Sequence, residues 1–169
     1  MFNRQQRRWS VPLTLAVLTV AADQATKLWV VQTLGPQTMA RKITLVDDWF
    51  NLVYSHNTGI AFSLLQGQTA LLTLTSLLIT VGVIYFYWTR LPILRLLPQL
   101  ISGLIVGGAL GNIIDRARLG YVVDFIQVGW WPIFNLADSA ICTGAALLML
   151  LFMRDEMTQR GDTQRAVSA

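Results

Sequence analysis

Leu136-Ala-Asp-Ser-Ala-Ile-Cys-Thr-Gly-Ala-Ala-Leu-Leu-Met-Leu-Leu-Phe-Met153 is the stretch on which the fold turns. It carries a single charged group, Asp138. As a helix it is about 27 Å long, close to the ~30 Å hydrocarbon core of a bilayer. Three further apolar stretches read the same way, at about residues 11–31, 70–88 and 96–114. Composition agrees, with 54% of the 169 residues hydrophobic and 13% charged, against about 25% charged in a soluble domain. The expected fold class is therefore an all-α membrane protein of one domain, residues 1–169, with four transmembrane helices.

The charges orient those helices. The net charge is +4, and its placement says more than its size. Arg4, Arg7 and Arg8 precede the first span, Arg90 and Arg95 separate the second from the third, and Arg154, Arg160 and Arg165 follow the fourth. Only Arg41, Lys42, Arg116 and Arg118 fall in the alternate loops. The positive-inside rule then puts both termini in the cytoplasm and leaves nucleic-acid binding without support. Trp9 and Trp88 fall at inner ends, and Trp29, Trp49, Trp130 and Trp131 at or beyond outer ends, as an aromatic belt requires. A cleaved signal peptide is the rival reading of the N-terminus, from Arg7-Arg8, an apolar stretch and Ala21-Ala22. Against it, the apolar run resumes after Lys27, and cleavage would leave three spans and break the charge alternation.

Outside the spans, Ile43-Thr-Leu-Val and Asn51-Leu-Val-Tyr read as short strands around an Asp47-Asp48 turn, and Val122-Val-Asp-Phe-Ile-Gln-Val128 as a third. A small β-sheet is expected on the outer, periplasmic face, with its main segment at about 40–66. The polar tail, 155–169, is expected to fray in the cytoplasm.

Polar residues inside apolar spans carry the functional argument, because a charge at membrane depth costs about 2.5–3.5 kcal/mol on insertion scales. Asp23 and Lys27 lie four apart on one helical face, acid first, as an ion pair prefers. Gly103, Gly107 and Gly111 form a small-residue stripe for close helix packing. Gly108, Asn112 and Asp115 make a polar stripe leading to Arg116. Asn135 and Asp138 share a face with Cys142 at the start of the fourth span. Helix capping alone accounts for Asp138 but leaves Asp124 unexplained. The loop holding Gly129 and Pro132 can turn the chain so that the two acids meet. Paired carboxylates sharing one proton are the working parts of aspartic proteases.

Other chemistries fit poorly. Ser139 and Cys142 lack a histidine base, since His56 is the only histidine and belongs to another motif. Pairing Ser139 with Lys27 fails because Asp23 would hold Lys27 protonated. Cys142 is the one cysteine, so neither an internal disulfide nor a cysteine cluster for metal can form. No metal or other cofactor is expected.

Four blocks resemble the lipoprotein signal peptidases, or signal peptidase II. They are Asp23-Gln-Ala-Thr-Lys27, Asn57-Thr-Gly-Ile-Ala-Phe-Ser63, Gly107-Gly-Ala-Leu-Gly-Asn-Ile-Ile-Asp-Arg116, and Val122-Val-Asp-Phe125 with Phe134-Asn-Leu-Ala-Asp-Ser139. Order and spacing match from about residue 11 to 153. Two positions depart from the family's usual Tyr-Asn-x-Gly-Ala-Ala-Phe: His56 precedes Asn57, and Ile60 follows Gly59. Altered packing near the substrate is expected there, with the chemistry unaffected.

The resemblance implies a bacterial inner-membrane aspartic endopeptidase, probed by globomycin-type peptide inhibitors. It would remove the signal peptide of a diacylglyceryl-modified prolipoprotein on the N-terminal side of the lipidated cysteine. By position, Asp124 and Asp138 match the catalytic pair. Asn57, Asn112, Arg116 and Asn135 match residues that line the site and position substrate or inhibitor. Asp23, Lys27, Gly108 and Asp115 support it. A monomer suffices, since four spans can enclose one site. Two readings from other classes compete. Asp23, Asp115 and Asp138 could form the proton relay of a small transporter, or the glycine stripe could mark a scaffold without catalysis.

Overall fold

α3 (Leu96–Leu119) organises the molecule, and its glycines show why. A Cβ on Gly103 or Gly107 would lie 2.8–2.9 Å from Pro12, Leu15, Ala16 or Thr19, all on α1 (Arg4–Leu34). Only hydrogen lets the two backbones approach this closely. Gly108, one residue round the helix, faces α4 (Leu136–Ser168) instead, where a Cβ would run into the Ala137 carbonyl and lie 2.8 Å from Ile141. Gly144 of α4 sits just as tightly on Ile105. α3 is thus clamped between α1 and α4, with α2 (Thr69–Arg90) packed on a further side.

The computed structural model describes residues 4–39, 42–47, 49–59, 67–91 and 95–168; for 4–8, 88 and 158–168 the backbone alone is described. Among the described residues, three helices have the length and hydropathy to cross a membrane: Thr69–Tyr87, Leu96–Leu119 and Leu136–Met157. α1, though 31 residues long, falls short of that hydropathy because Asp23, Gln24 and Lys27 lie within it. α3 stops at Gly120, which adopts φ 80° and donates its N–H to the Arg116 carbonyl, a left-handed cap that suits glycine. α4 begins at Leu136, as read from the sequence. Its far end differs from expectation. The helix continues to Ser168 where fraying was expected after residue 154. The stretch holds no proline, and its Arg, Glu, Gln and Met residues are good helix formers that extend an already nucleated helix.

The three strands, β1 (Lys42–Val46), β2 (Phe50–Asn57) and β3 (Val122–Val128), form an antiparallel sheet in the order β1-β2-β3. Asp47 takes the β1–β2 turn with a positive φ of 29°; Asp48, Ile60 and Phe62, with the rest of the segment up to residue 66, lie outside the described residues. Val123 and Phe125 pack into a core with Val30 and Leu34 at the end of α1. Side chains alternate along a strand. Burying Val123 and Phe125 against α1 therefore turns Val122 and Asp124 to the opposite face, where both line a cavity.

Candidate active site

Lys27 is the hub of a buried polar network between α1 and α3. Its Nζ lies 2.9 Å from Asp23 Oδ2 and 2.9 Å from Asp115 Oδ2, with all three side chains at most 4% exposed. It also donates to Asn112 Oδ1 at 2.9 Å. The acids use their remaining oxygen capacity on the backbone of neighbouring elements. Asp23 Oδ1 accepts from the Ala137 N–H at 3.0 Å, which ties α1 to the first turn of α4. Asp115 Oδ2 accepts from the Val123 N–H at 3.1 Å, which ties α3 to β3. Both acids and the lysine are satisfied, as buried charges must be. The pair expected from the Asp23–Lys27 spacing is in fact a triad joined to two further elements.

Asn135 caps α4. Its Oδ1 accepts from the Asp138 N–H at 2.9 Å, and Asp138 Oδ2 accepts in return from the Asn135 N–H at 3.2 Å. This is a reciprocal capping box. Capping uses one oxygen of Asp138; the other accepts from Asn112 Nδ2 at 2.7 Å. Asn135 Nδ2 donates to Asp124 Oδ1 at 2.7 Å and to Asn112 Oδ1 at 3.1 Å. Asn57, at the end of β2, donates to Asp124 Oδ2 at 2.8 Å and accepts from the Gly59 N–H at 2.9 Å. Asn112 and Asn135 therefore bridge Asp124 to Asp138, and each carboxylate is held at both oxygens.

Asp124 and Asp138 open onto one cavity of about 470 Å3, which Asn57, Asn112 and Arg116 also line. Trp131, Pro132 and Phe134 form its apolar wall. Arg116 makes no hydrogen bond or ion pair with another described side chain, so its guanidinium is available to the cavity. Burial, reinforced by the Asp138 charge, pushes the Asp124 carboxyl from 3.8 to about 7; hydrogen bonds from Asn57 and Asn135 and the Lys27 charge oppose the shift. The Ser139 hydroxyl donates to the Asn135 carbonyl at 3.0 Å. Cys142 lines the cavity with no histidine beside it among the described residues. Asp23, Asp115 and Asp138 gather at one end of the bundle, which does not make the relay across a membrane that transport needs.

Every residue singled out for the site lies in this constellation. Gly108 serves it through close packing, by bringing α3 against Ala137, and is no part of a polar stripe. One group, Gln24, escaped the sequence reading, and His56, where altered packing near the substrate was expected, is not among the residues lining the cavity. Gln24 donates to Asp115 Oδ1 at 2.9 Å, to the Gly111 carbonyl at 3.2 Å and to Asp23 Oδ2 at 3.2 Å. Its signal was an amide next to a buried acid, inside an apolar run. His56 hydrogen bonds through Nε2 to the Tyr54 hydroxyl and packs 4.2 Å, ring centre to ring centre, from Tyr121. This cluster lies on the opposite side of β2 from Asn57.

A family model described as signal peptidase (SPase) II matches residues 15–154. The lipoprotein signal peptidase of Syntrophomonas wolfei is 40% identical over 82% of this chain and 90% of its own length. That of Halothermothrix orenii is 41% identical over 84% and 94%. A bacterial membrane enzyme solved by the in meso method at 2.3 Å resolution superposes with a TM-score of 0.76 at 30% identity, covering 86% of this chain and 88% of that one. Similarity of this extent, reaching from α1 through the fourth helix, establishes that the chain belongs to the signal peptidase II family of membrane proteases.

Proposed function

We propose that the chain is an aspartic endopeptidase that removes signal peptides from diacylglyceryl-modified prolipoproteins, cutting on the N-terminal side of the lipidated cysteine. The observation that carries this reading is the bridged pair. Asp124 and Asp138 come from different elements, open onto one cavity, and are linked through Asn112 and Asn135. With the Asp124 carboxyl pushed up to about 7, the pair holds one proton near neutrality. The ionised member takes a proton from a water as its oxygen attacks the scissile carbonyl. The protonated member gives its proton to the carbonyl oxygen. Collapse of the tetrahedral species returns a proton to the leaving amine, and no covalent enzyme intermediate forms.

The surroundings fit this chemistry. Asn57 and Asn135 hold Asp124, and Asn112 with the Asn135 backbone holds Asp138, so neither carboxylate must reorganise as charge moves. Arg116 is placed to meet a substrate carbonyl. Asp23, Lys27 and Asp115 lock α1, α3, β3 and α4 together behind the pair.

Topology supports a substrate drawn from the membrane. α1 exposes Leu13, Val17, Leu18 and Leu28, an apolar face that suits lipid and supports reading it as a fourth crossing. Asp23 and Lys27, within that span, are turned inward, where each is paired. Trp29, Trp49, Trp130 and Trp131 are exposed near the cavity end, as residues at headgroup level would be. With the arginine-rich ends in the cytoplasm, the sheet and cavity face the periplasm of a bacterial inner membrane, and the chain acts as a monomer.

The test is turnover of a lipidated precursor in micelles. Asp124→Asn and Asp138→Asn are each expected to lower it by at least about 100-fold, the lower bound for loss of general acid–base catalysis, with helical content retained. Turnover at the wild-type rate by either folded variant would refute the dyad.

A further inference from the structure

A second cavity, of about 340 Å3, lies between α2, α3 and α4 at the end away from the dyad. Its wall is almost wholly apolar, with Ile79, Val83, Phe86, Ile101, Ile105 and Phe152 among its lining. From Arg95 at its end of α3 to Asn112 beside the dyad, the helix rises about 25 Å. The floor on α2 is Gly82. A Cβ there would meet nothing within 4 Å, unlike Gly103, Gly107, Gly108, Gly111 and Gly144, each of which is pressed against a neighbour. Glycine is a poor helix former beside alanine, and no helix packing accounts for this one. Phe86 and Phe152 meet edge to face across the cleft at 5.8 Å between ring centres, so α2 and α4 touch at the rim and stand apart at Gly82.

Charge at this end of α2 and α3, next to the lining residue Leu91, selects the occupant. Arg90 closes α2, Arg95 precedes α3, and both are exposed. Among the described residues neither has an acidic partner. The apolar segment of a signal peptide would bring its positively charged leading residues to this same end, against two arginines. An anionic phospholipid reverses that sign, with its acyl chain in the apolar cavity and its phosphate on the guanidinium groups. We propose that the cleft over Gly82 is a binding site for an anionic phospholipid of the leaflet opposite the dyad, held by Arg90 and Arg95. The site is separate from the peptidase reading, and lipid retention is measured without any cleavage.

The experiment is native mass spectrometry of the full chain released from micelles titrated with phosphatidylglycerol or phosphatidylcholine. Wild type is expected to hold one phosphatidylglycerol about thirtyfold more tightly than phosphatidylcholine, from roughly 1 kcal/mol for each arginine. The R90Q/R95Q variant should lose that preference. Gly82→Leu, which fills the cleft, should lose the bound lipid, and Ile79→Trp provides a second filling variant should the first misfold. Equal retention of the two lipids by wild type, or unchanged phosphatidylglycerol retention in both filling variants, would overturn the proposal. So would a tenfold rise in KM for lipidated precursor in the filling variants with lipid retention intact, because the cleft would then belong to the substrate.

Discussion

Replacing Lys27 with methionine keeps the length and apolar stem of the side chain and removes its charge. Asp23 Oδ2 and Asp115 Oδ2 each lie 2.9 Å from Nζ, so they are no more than 5.8 Å (twice 2.9 Å) apart. At an effective dielectric of 20, two carboxylates at that separation repel by about 3 kcal/mol. Removal of one member of a buried ion pair generally costs about 3–5 kcal/mol, and the repulsion alone reaches the lower end. Lys27→Met is therefore expected to destabilise the protein by about 3–5 kcal/mol near neutral pH, read from unfolding in micelles. A second substitution separates repulsion from lost packing: Lys27→Met with Asp115→Asn should recover part of the loss. A single variant within about 1 kcal/mol of wild type, or a double variant no better than the single, would refute the view that Lys27 neutralises two acids at once.

Gly108→Ala should destabilise by about 1–3 kcal/mol, as overpacking does, because its methyl would meet the Ala137 carbonyl. It should also slow cleavage, since Ala137 adjoins Asp138 and small displacements of a reacting group are expensive. Gly82→Ala, with open space at its Cβ, should be neutral or slightly stabilising in the same unfolding assay. Asp124 has its pKa raised by folding, from 3.8 to about 7, so its contribution is fullest below about pH 4 and is lost as pH rises towards 7. Wild type should accordingly lose stability relative to Asp124→Asn across that window, by up to about 4 kcal/mol for three units; a pH-independent difference between the two proteins would contradict the shift.

Local pattern made much of this legible. Asn135 and Asp138 are neighbours in sequence, and their capping box announces the start of α4 at Leu136. Gly103, Gly107 and Gly111 repeat every four residues and do face α1. Val122–Val128 reads as a strand because β-branched and aromatic residues fill it, and its first four residues are buried on both faces. What the sequence hid was long-range. Gln24 reaches the Gly111 carbonyl 87 positions away, and nothing near Gln24 marks that partner. Gly108 and Gly107 look alike in the chain, yet one faces α4 and the other α1, a distinction set by helix rotation. The helical tail past residue 154 was missed because hydrophobic periodicity ends there while backbone propensity does not. Spacing alone could bring Asp124 and Asp138 near each other; only the Asn112 and Asn135 bridges say how they are held.

If Asp124 and Asp138 share one proton in the resting enzyme, the pH dependence of kcat/KM on a lipidated precursor should reveal it, because that ratio reports ionisation of the free enzyme. Above the pair's upper pKa both carboxylates are charged and no proton remains for the scissile carbonyl. The profile should fall about tenfold per pH unit on its alkaline side, bending near pH 7, where Asp124 titrates. A profile flat from about pH 5.5 to 9, or one that rises through pH 7, would contradict it.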